Sequence, residues 1–160
     1  MKIINQEQLD QLSREAADSQ RRRKNLNMHD DFADPCQRLF NAVEPGTYIR
    51  PHRHVDPPKP ECFTAVRGRM VLIVFNHDGD VEQMIAFGEG CDVVALELPA
   101  GLWHTLLAIE PGSIFFETKP GPYVPLSDKD LAPWSPAEGT PETADYLAYL
   151  ISQVPEKLFS

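Results

Sequence analysis

No stretch of the chain stays apolar for anything near the roughly 20 residues that a bilayer crossing needs, and the amino terminus has no continuous apolar segment of the kind that directs secretion. These absences make a cytoplasmic location the expectation. Cysteine is scarce too. Cys36, Cys62 and Cys91 are odd in number and lack C-x-x-C spacing, which fits reduced thiols better than a disulfide framework or a thiolate zinc site. Basic residues are outnumbered, 15 Lys and Arg against 24 Asp and Glu, for a formal net charge of -9. A chain of that sign repels phosphate backbones and anionic surfaces, so neither nucleic acid nor a membrane is an expected partner. The local exception, Arg21, Arg22, Arg23 and Lys24, reads as a solvated helix end, where cations also suit the carboxyl-terminal dipole. Internal repeats and low-complexity tracts are missing as well.

Proline, by contrast, is plentiful, with 15 in 160 residues, and it punctuates the chain. With 42% of residues apolar, the whole of 1–160 is expected to enclose one core as one domain. Residues 5–24 read as a helix, with Leu9, Leu12 and Ala16 at helical spacing, packed outside the sheet. Residues 25–35 form a turn-rich link, so that 1–35 is helix and link. From Cys36 to Lys119 the texture is β, with strands expected at 37–43, 47–54, 61–67, 70–75, 81–87, 93–98, 103–109 and 113–119. Turn residues, such as Asn76 to Gly79 and Pro111-Gly112, separate them. Eight short strands at near-even spacing argue for an antiparallel jelly roll or barrel rather than a parallel sheet. Residues 120–160 are a proline-rich wrap anchored by Tyr123 and Trp134, closed by a helix over 141–154.

Candidate chemistry gathers in 46–68, GTYIRPHRHVDPPKPECFTAVRG, and in 99–104, PAGLWH. His52 and His54 are two residues apart, so on a strand they share one face about 6.6 Å apart at the backbone and can converge on one ion. Glu61 offers a hard oxygen and His104 a third imidazole just after a Pro-x-Gly turn. Counting alternate residues from His52 places Arg50 and Tyr48 on the ligand face, provided Pro51 keeps the register, with Arg50 as a clamp for an anion and Tyr48 as a hydrogen-bond donor. Their plainer roles are a rim salt bridge for Arg50 and core packing for Tyr48. Phe63 and Ala65 supply an apolar wall, and Trp103 faces outward. His29 either folds back over the barrel mouth or is solvated, and His77 lies in a hairpin turn without a role.

Gly46, His52-x-His54, Glu61 and Gly68, followed by Pro99-x-Gly101-x-x-His104, resemble the two motifs of the cupin superfamily. That resemblance implies an all-β fold, a cupin-type double-stranded β-helix (jelly roll) barrel with an N-terminal helix and a short C-terminal helix. It also implies a divalent metal held by His52, His54, Glu61 and His104. Two departures stand out. Six residues separate His54 from Glu61 where three or four are usual, and Pro57, Pro58 and Pro60 make that insert a stiff loop. Ala108 stands where cupins often carry Asn. Three imidazoles and one carboxylate suit Zn, Fe, Mn, Ni or Cu, without choosing among them. Four ligands also allow a closed structural ion.

A narrower resemblance runs through Asn27-x-His29, Asp34-Pro35-x-Gln37-Arg38, Glu44-Pro45-Gly46-Thr47-Tyr48, Pro51-His52-Arg53-His54, Lys119-Pro120-Gly121-Pro122-Tyr123 and Ala132-Pro133-Trp134. These are similar to the WbuC family of cupin fold metalloproteins, with Leu131 and Ser135 as small departures. The resemblance implies a metal-holding cupin found among bacterial genes for surface polysaccharide such as O-antigen, with no settled reaction. Two function classes follow. One is a metal-dependent enzyme (isomerase, epimerase or dioxygenase) acting on a small anionic or sugar-derived molecule. The other is a non-catalytic binder of a small molecule or carbohydrate with a structural metal. The partner in both is a small-molecule ligand, and a homodimer stays open.

Overall fold

A computed structural model describes residues 1–158 of the chain. Helix α1 (Gln6–Asp18) opens it, followed by eight strands, β1 (Arg23–Asn27), β2 (Cys36–Val43), β3 (Glu61–Arg67), β4 (Arg69–Phe75), β5 (Val81–Gly88), β6 (Ala95–Leu98), β7 (Trp103–Ala108) and β8 (Ser113–Pro120). Helix α2 (Glu142–Gln153) follows the proline-rich segment. The strands form two antiparallel sheets, one of order β1-β2-β8-β3-β6 and one of order β5-β4-β7. Apart from the consecutive pairs β1-β2 and β4-β5, neighbouring strands are not consecutive in sequence, which is the crossover pattern of a jelly roll closing on itself. The fold is a cupin-type β-barrel with a helix at each end.

The barrel core is Phe63, Met70, Leu72, Val74, Phe87, Leu98, Leu106 and Phe115, contributed by both sheets. Strand β4 is buried on both faces, and its sequence is accordingly a continuous apolar run rather than an alternating one. Its other face, Val71, Ile73 and Phe75, joins Trp103 and Leu107 beneath Ala132 and Leu150 of the carboxyl-terminal region. Trp134 anchors that cover, with its ring 4.9 Å from Phe75 and 6.1 Å from Trp103. Tyr123 does not anchor there. It pairs with Phe32 at 4.9 Å and stays 47% exposed, because the chain at that point runs beside the 28–35 link rather than over the sheet.

Three expected elements differ. The helix ends at Asp18 instead of Lys24, and Arg23–Asn27 turns back as an edge strand on β2, pairing Arg23 with Val43 and Asn27 with Leu39. Arg22, at φ 52, takes the left-handed turn that makes this reversal. The basic run is therefore a turn and a strand, and the 25–35 link loses its first residues to β1. Residues 47–54 form no regular strand. They lie beside β7 where a fourth strand of the smaller sheet would run, joined by His52 N–H to His104 O at 3.0 Å and His104 N–H to His52 O at 2.9 Å. Pro51 has no N–H for a ladder, and its carbonyl accepts from Ala132 N–H instead at 3.0 Å. Strand β6 begins at Ala95 rather than Val93.

Helix α1 packs Leu9, Leu12 and Ala16 on Ala42 and Ile114, outside the larger sheet. Its start is fixed by a capping box: Gln8 N–H donates to Asn5 Oδ1 at 3.0 Å, and Asn5 N–H donates to Gln8 Oε1 at 3.1 Å. Asn5→Ala removes the cap and is expected to lower unfolding free energy by about 1 kcal/mol. Urea denaturation checks this, and an unchanged midpoint would mean the helix draws nothing from its cap.

Candidate metal centre

Three segments bring the donors together, the irregular stretch 47–54 with His52 and His54, β3 and β7. Glu61 is the first residue of β3, and His104 is the second of β7. Alternation along β7 turns His104 and Leu106 inward and leaves Trp103 and Leu107 on the outer face. Trp103 thus points away from the donors as expected, yet it is buried beneath the carboxyl-terminal cover, with the Arg53 guanidinium 4.1 Å above its ring. The turn before β7 needs Gly101, whose φ of +82 is a conformation that L side chains rarely adopt. Gly101 N–H donates to His54 O at 3.0 Å and so ties the second motif to the first. The 55–60 insert is held rather than loose: Val55 N–H donates to Asp130 Oδ1 at 3.1 Å, and Lys59 Nζ donates to Pro122 O.

His52, His54 and Glu61 present one ligand atom each within 4.8 Å of one another, a group able to hold a metal ion. His54 Nε2 lies 3.1 Å from Glu61 Oε1, and His104 Nε2 lies 3.2 Å from Glu61 Oε2. His52 sits between its fellows, with ring centroids 4.5 Å from His104 and 5.5 Å from His54. The tautomers follow from the backbone. A carbonyl only accepts, so His52 Nδ1–H donates to Arg50 O at 3.0 Å and His104 Nδ1–H donates to Leu102 O at 2.9 Å. Each ring then turns an Nε2 lone pair inward, the arrangement that orients metal-binding imidazoles.

The donor set fits a cation on one further observation. His54 Nε2, His104 Nε2 and Glu61 Oε2 are buried without a hydrogen-bond partner. For a neutral His104, the 3.2 Å approach sets a lone pair against a carboxylate oxygen. Two acceptors at that distance need a proton or a metal ion between them. Burial, then the neighbouring His104, pushes the His52 imidazole down to about 3, so it is neutral and ready to coordinate at ordinary pH. Burial alone would raise Glu61, but the His104 and His54 imidazoles, where Nε2 carries a proton, and the charge of Lys119 outweigh it and hold the carboxyl well below its usual range.

Residues to which the sequence reading gave no site role complete the wall. Lys119 Nζ donates to Glu61 Oε1 at 2.9 Å and lies 2.6 Å from Glu117 Oε1, while Asn41 Nδ2 donates to Glu117 Oε2 at 2.8 Å. Burial would lower Lys119, but Glu117 and Glu61 raise it above its ordinary value; burial raises Glu117. A signal for them existed. Phe115, Glu117 and Lys119 alternate along β8, so an inward Phe115 places both charged residues on the cavity side.

A cavity of about 590 Å³ opens on these groups, reached by His52, Glu61, Phe63, His104, Glu117 and Lys119. Phe63 lines it. Arg50 also lines it, with two of its five N–H donors turned to the carboxyl-terminal cover, Nε to Ser135 Oγ at 3.2 Å and Nη2 to Ala132 O at 2.9 Å. Tyr48 does not reach the cavity: its hydroxyl donates to Pro136 O at 2.8 Å, and its ring meets Tyr146 edge-on. Pro51 breaks the alternation, so Ile49 packs toward the barrel core while Tyr48 and Arg50 turn to the carboxyl-terminal cover. His29 is buried away from the cavity, its Nδ1 accepting from Arg38 N–H at 3.0 Å.

Among solved structures, a conserved protein of unknown function from Streptococcus pyogenes is similar with a TM-score of 0.51 at 14% identity, over 77% of this chain and 90% of that one. KdgF from Halomonas sp. has a TM-score of 0.46 at 15% identity, over 61% and 79% of the two chains. An RmlC-like cupin from Desulfovibrio desulfuricans has 0.47 at 14%, over 61% and 81%. No protein of curated function matches the sequence. Residues 4–87, just over half of the chain, match the family described as a domain of unknown function (DUF6016), and the protein belongs to that family.

Proposed function

We propose that the protein is a metal-binding cupin that uses His52, His54, Glu61 and His104 to hold one divalent ion and acts there on a small anionic or sugar-derived molecule. The observation that carries this reading is the convergence of inward Nε2 atoms, their Nδ1 atoms tied to Arg50 O and Leu102 O, on a carboxylate at the wall of a 590 Å³ cavity. That volume falls in the usual range for small-molecule sites. Zn, Fe, Mn, Ni and Cu all suit the donors. When bound, such an ion supplies Lewis acidity to an oxygen at an open coordination position. The chain's own part is to orient the imidazoles through the two backbone carbonyls and to keep the Phe63 side dry. Within this reading the reaction is an isomerisation, epimerisation or dioxygenation. The motifs that resemble the WbuC family, spread over 27–134, support a place beside bacterial surface polysaccharide (O-antigen) synthesis.

A second reading has a specific observation in its favour. The donors number four, enough to close a tetrahedron around a structural ion, which would leave a binder of small molecules or carbohydrates that turns nothing over. Cobalt(II) loading separates the two. With an open position, the visible bands of the cobalt protein shift on adding a small carboxylate such as lactate. An intense tetrahedral spectrum that no added anion perturbs would favour the structural ion.

A further inference from the structure

Resting on the reading that the cavity takes a small anion beside the ion, we infer that Lys119, not Arg50, is the second anchor for that anion, and that the ligand is a carboxylate with a neighbouring oxygen. An ammonium group has three donors. Lys119 places one on Glu61 Oε1 at 2.9 Å and one on Glu117 Oε1 at 2.6 Å. The third has no partner among the described residues, and the side chain, 19% exposed, lines the same cavity as His52 and His104. The other cations that line the cavity, Arg50, Arg21, Arg23 and Lys24, are held elsewhere. Ser135 Oγ and Ala132 O take two of the five Arg50 donors and draw its guanidinium to the carboxyl-terminal cover, Arg21 and Arg23 both grip Glu138 at 2.7 to 2.9 Å, and Lys24 Nζ lies 3.9 Å from Glu15 Oε2.

Position adds to this. Lys119 touches the carboxylate of Glu61, so an oxygen presented to the ion beside Glu61 is also beside the ammonium. Glu117 holds the lysine in place and Asn41 holds Glu117, a support that fixes the donor before a ligand arrives. With both carboxylates ionised, the wall carries one net negative charge, and a dication reverses it to one net positive charge. A 2-hydroxy acid fits this arrangement: two adjacent oxygens can divide between the ion and Lys119, and its single charge matches the site. A neutral amide of the same shape lacks the charge that strengthens the lysine bond.

The test follows the visible spectrum of cobalt-loaded protein titrated with lactate and with lactamide, with cobalt content measured on each variant. Wild type is expected to prefer lactate. Lys119→Met is expected to keep one cobalt per chain and to bind lactate roughly 10- to 100-fold more weakly, the scale of a charged hydrogen bond, with lactamide little changed. Glu117→Gln, which removes a negative charge without removing the ammonium, is expected to tighten lactate several-fold. Opposite signs in these two variants are not what a merely structural pair would give. Lys119→Met with full cobalt and unchanged lactate affinity overturns the inference. So does loss of cobalt from Lys119→Met, which would assign the lysine to holding Glu61, or weakening of lactate by Glu117→Gln. A wild-type spectrum indifferent to both probes would instead overturn the parent reading of an open metal position, and this inference with it.

Discussion

Replacing His104 by alanine is expected to cost the protein most of its affinity for a divalent ion. The imidazole is 3% exposed, and its Nε2 stands 3.2 Å from Glu61 Oε2. Removing it deletes one donor and leaves Glu61 Oε2 facing an empty volume. Loss of a mere supporting partner typically costs 10- to 100-fold in metal affinity, so loss of a ligand should cost roughly 100-fold or more. Competition against a chromophoric chelator measures the zinc affinity, and urea denaturation of the metal-free variant confirms that it folds. Tyr48→Phe is the control, because its hydroxyl serves Pro136 O outside the cavity. That variant should keep its metal and lose about 1 kcal/mol of stability. Wild-type zinc affinity in His104→Ala would confine the centre to His52, His54 and Glu61.

Acidification should destabilise the metal-free protein through His52. Its folded-state value, lowered to about 3 by burial and then by His104, lies below the ordinary 6.5. Above pH 6.5 the group is neutral in both states and adds no pH dependence. As pH falls from 6.5 toward 3, the unfolded chain takes up a proton that the folded protein refuses, and stability declines across that window. By pH 4 the deficit from this group is about 3 kcal/mol, less whatever the water in the cavity screens. Glu61 acts in the same direction. Its lowered value stabilises the fold above the ordinary carboxylate range, and that contribution is lost as pH drops through the range and below. Urea midpoints at pH 7.5 and pH 4 measure the slope, and His52→Gln should flatten it. An equal slope in both proteins would show that His52 does not carry the effect.

The barrel was legible in the sequence because most of its strands are short runs bounded by turn chemistry, and β3, β4, β5, β7 and β8 fall within a residue or two of the expected bounds. The gathering of His52, His54, Glu61 and His104 was legible for another reason. H-x-H and P-x-G-x-x-H are local patterns, and alternation along β7 turns His104 inward, away from Trp103. What failed was whatever depended on partners remote in sequence. Arg23 and Lys24 read as a helix end and residues 25–27 as a link, and the five become a strand only because the β2 edge receives them. Arg50 and Tyr48 followed the alternation on paper, and Pro51 interrupted it because residues 51–53 pair with 130–132 on one side and β7 on the other. Glu117 and Lys119 were hidden by their charge: buried charges need partners, and the partners of Lys119 include Glu61, 58 residues earlier.

The most direct test of the account is anomalous diffraction from crystals of the wild-type protein soaked in zinc, collected on either side of the zinc edge. One strong peak is expected inside the barrel, with the Nε2 atoms of His52, His54 and His104 and a Glu61 oxygen all about 2.0 to 2.2 Å away. No peak among these four residues, or a peak only at other sites, would contradict it.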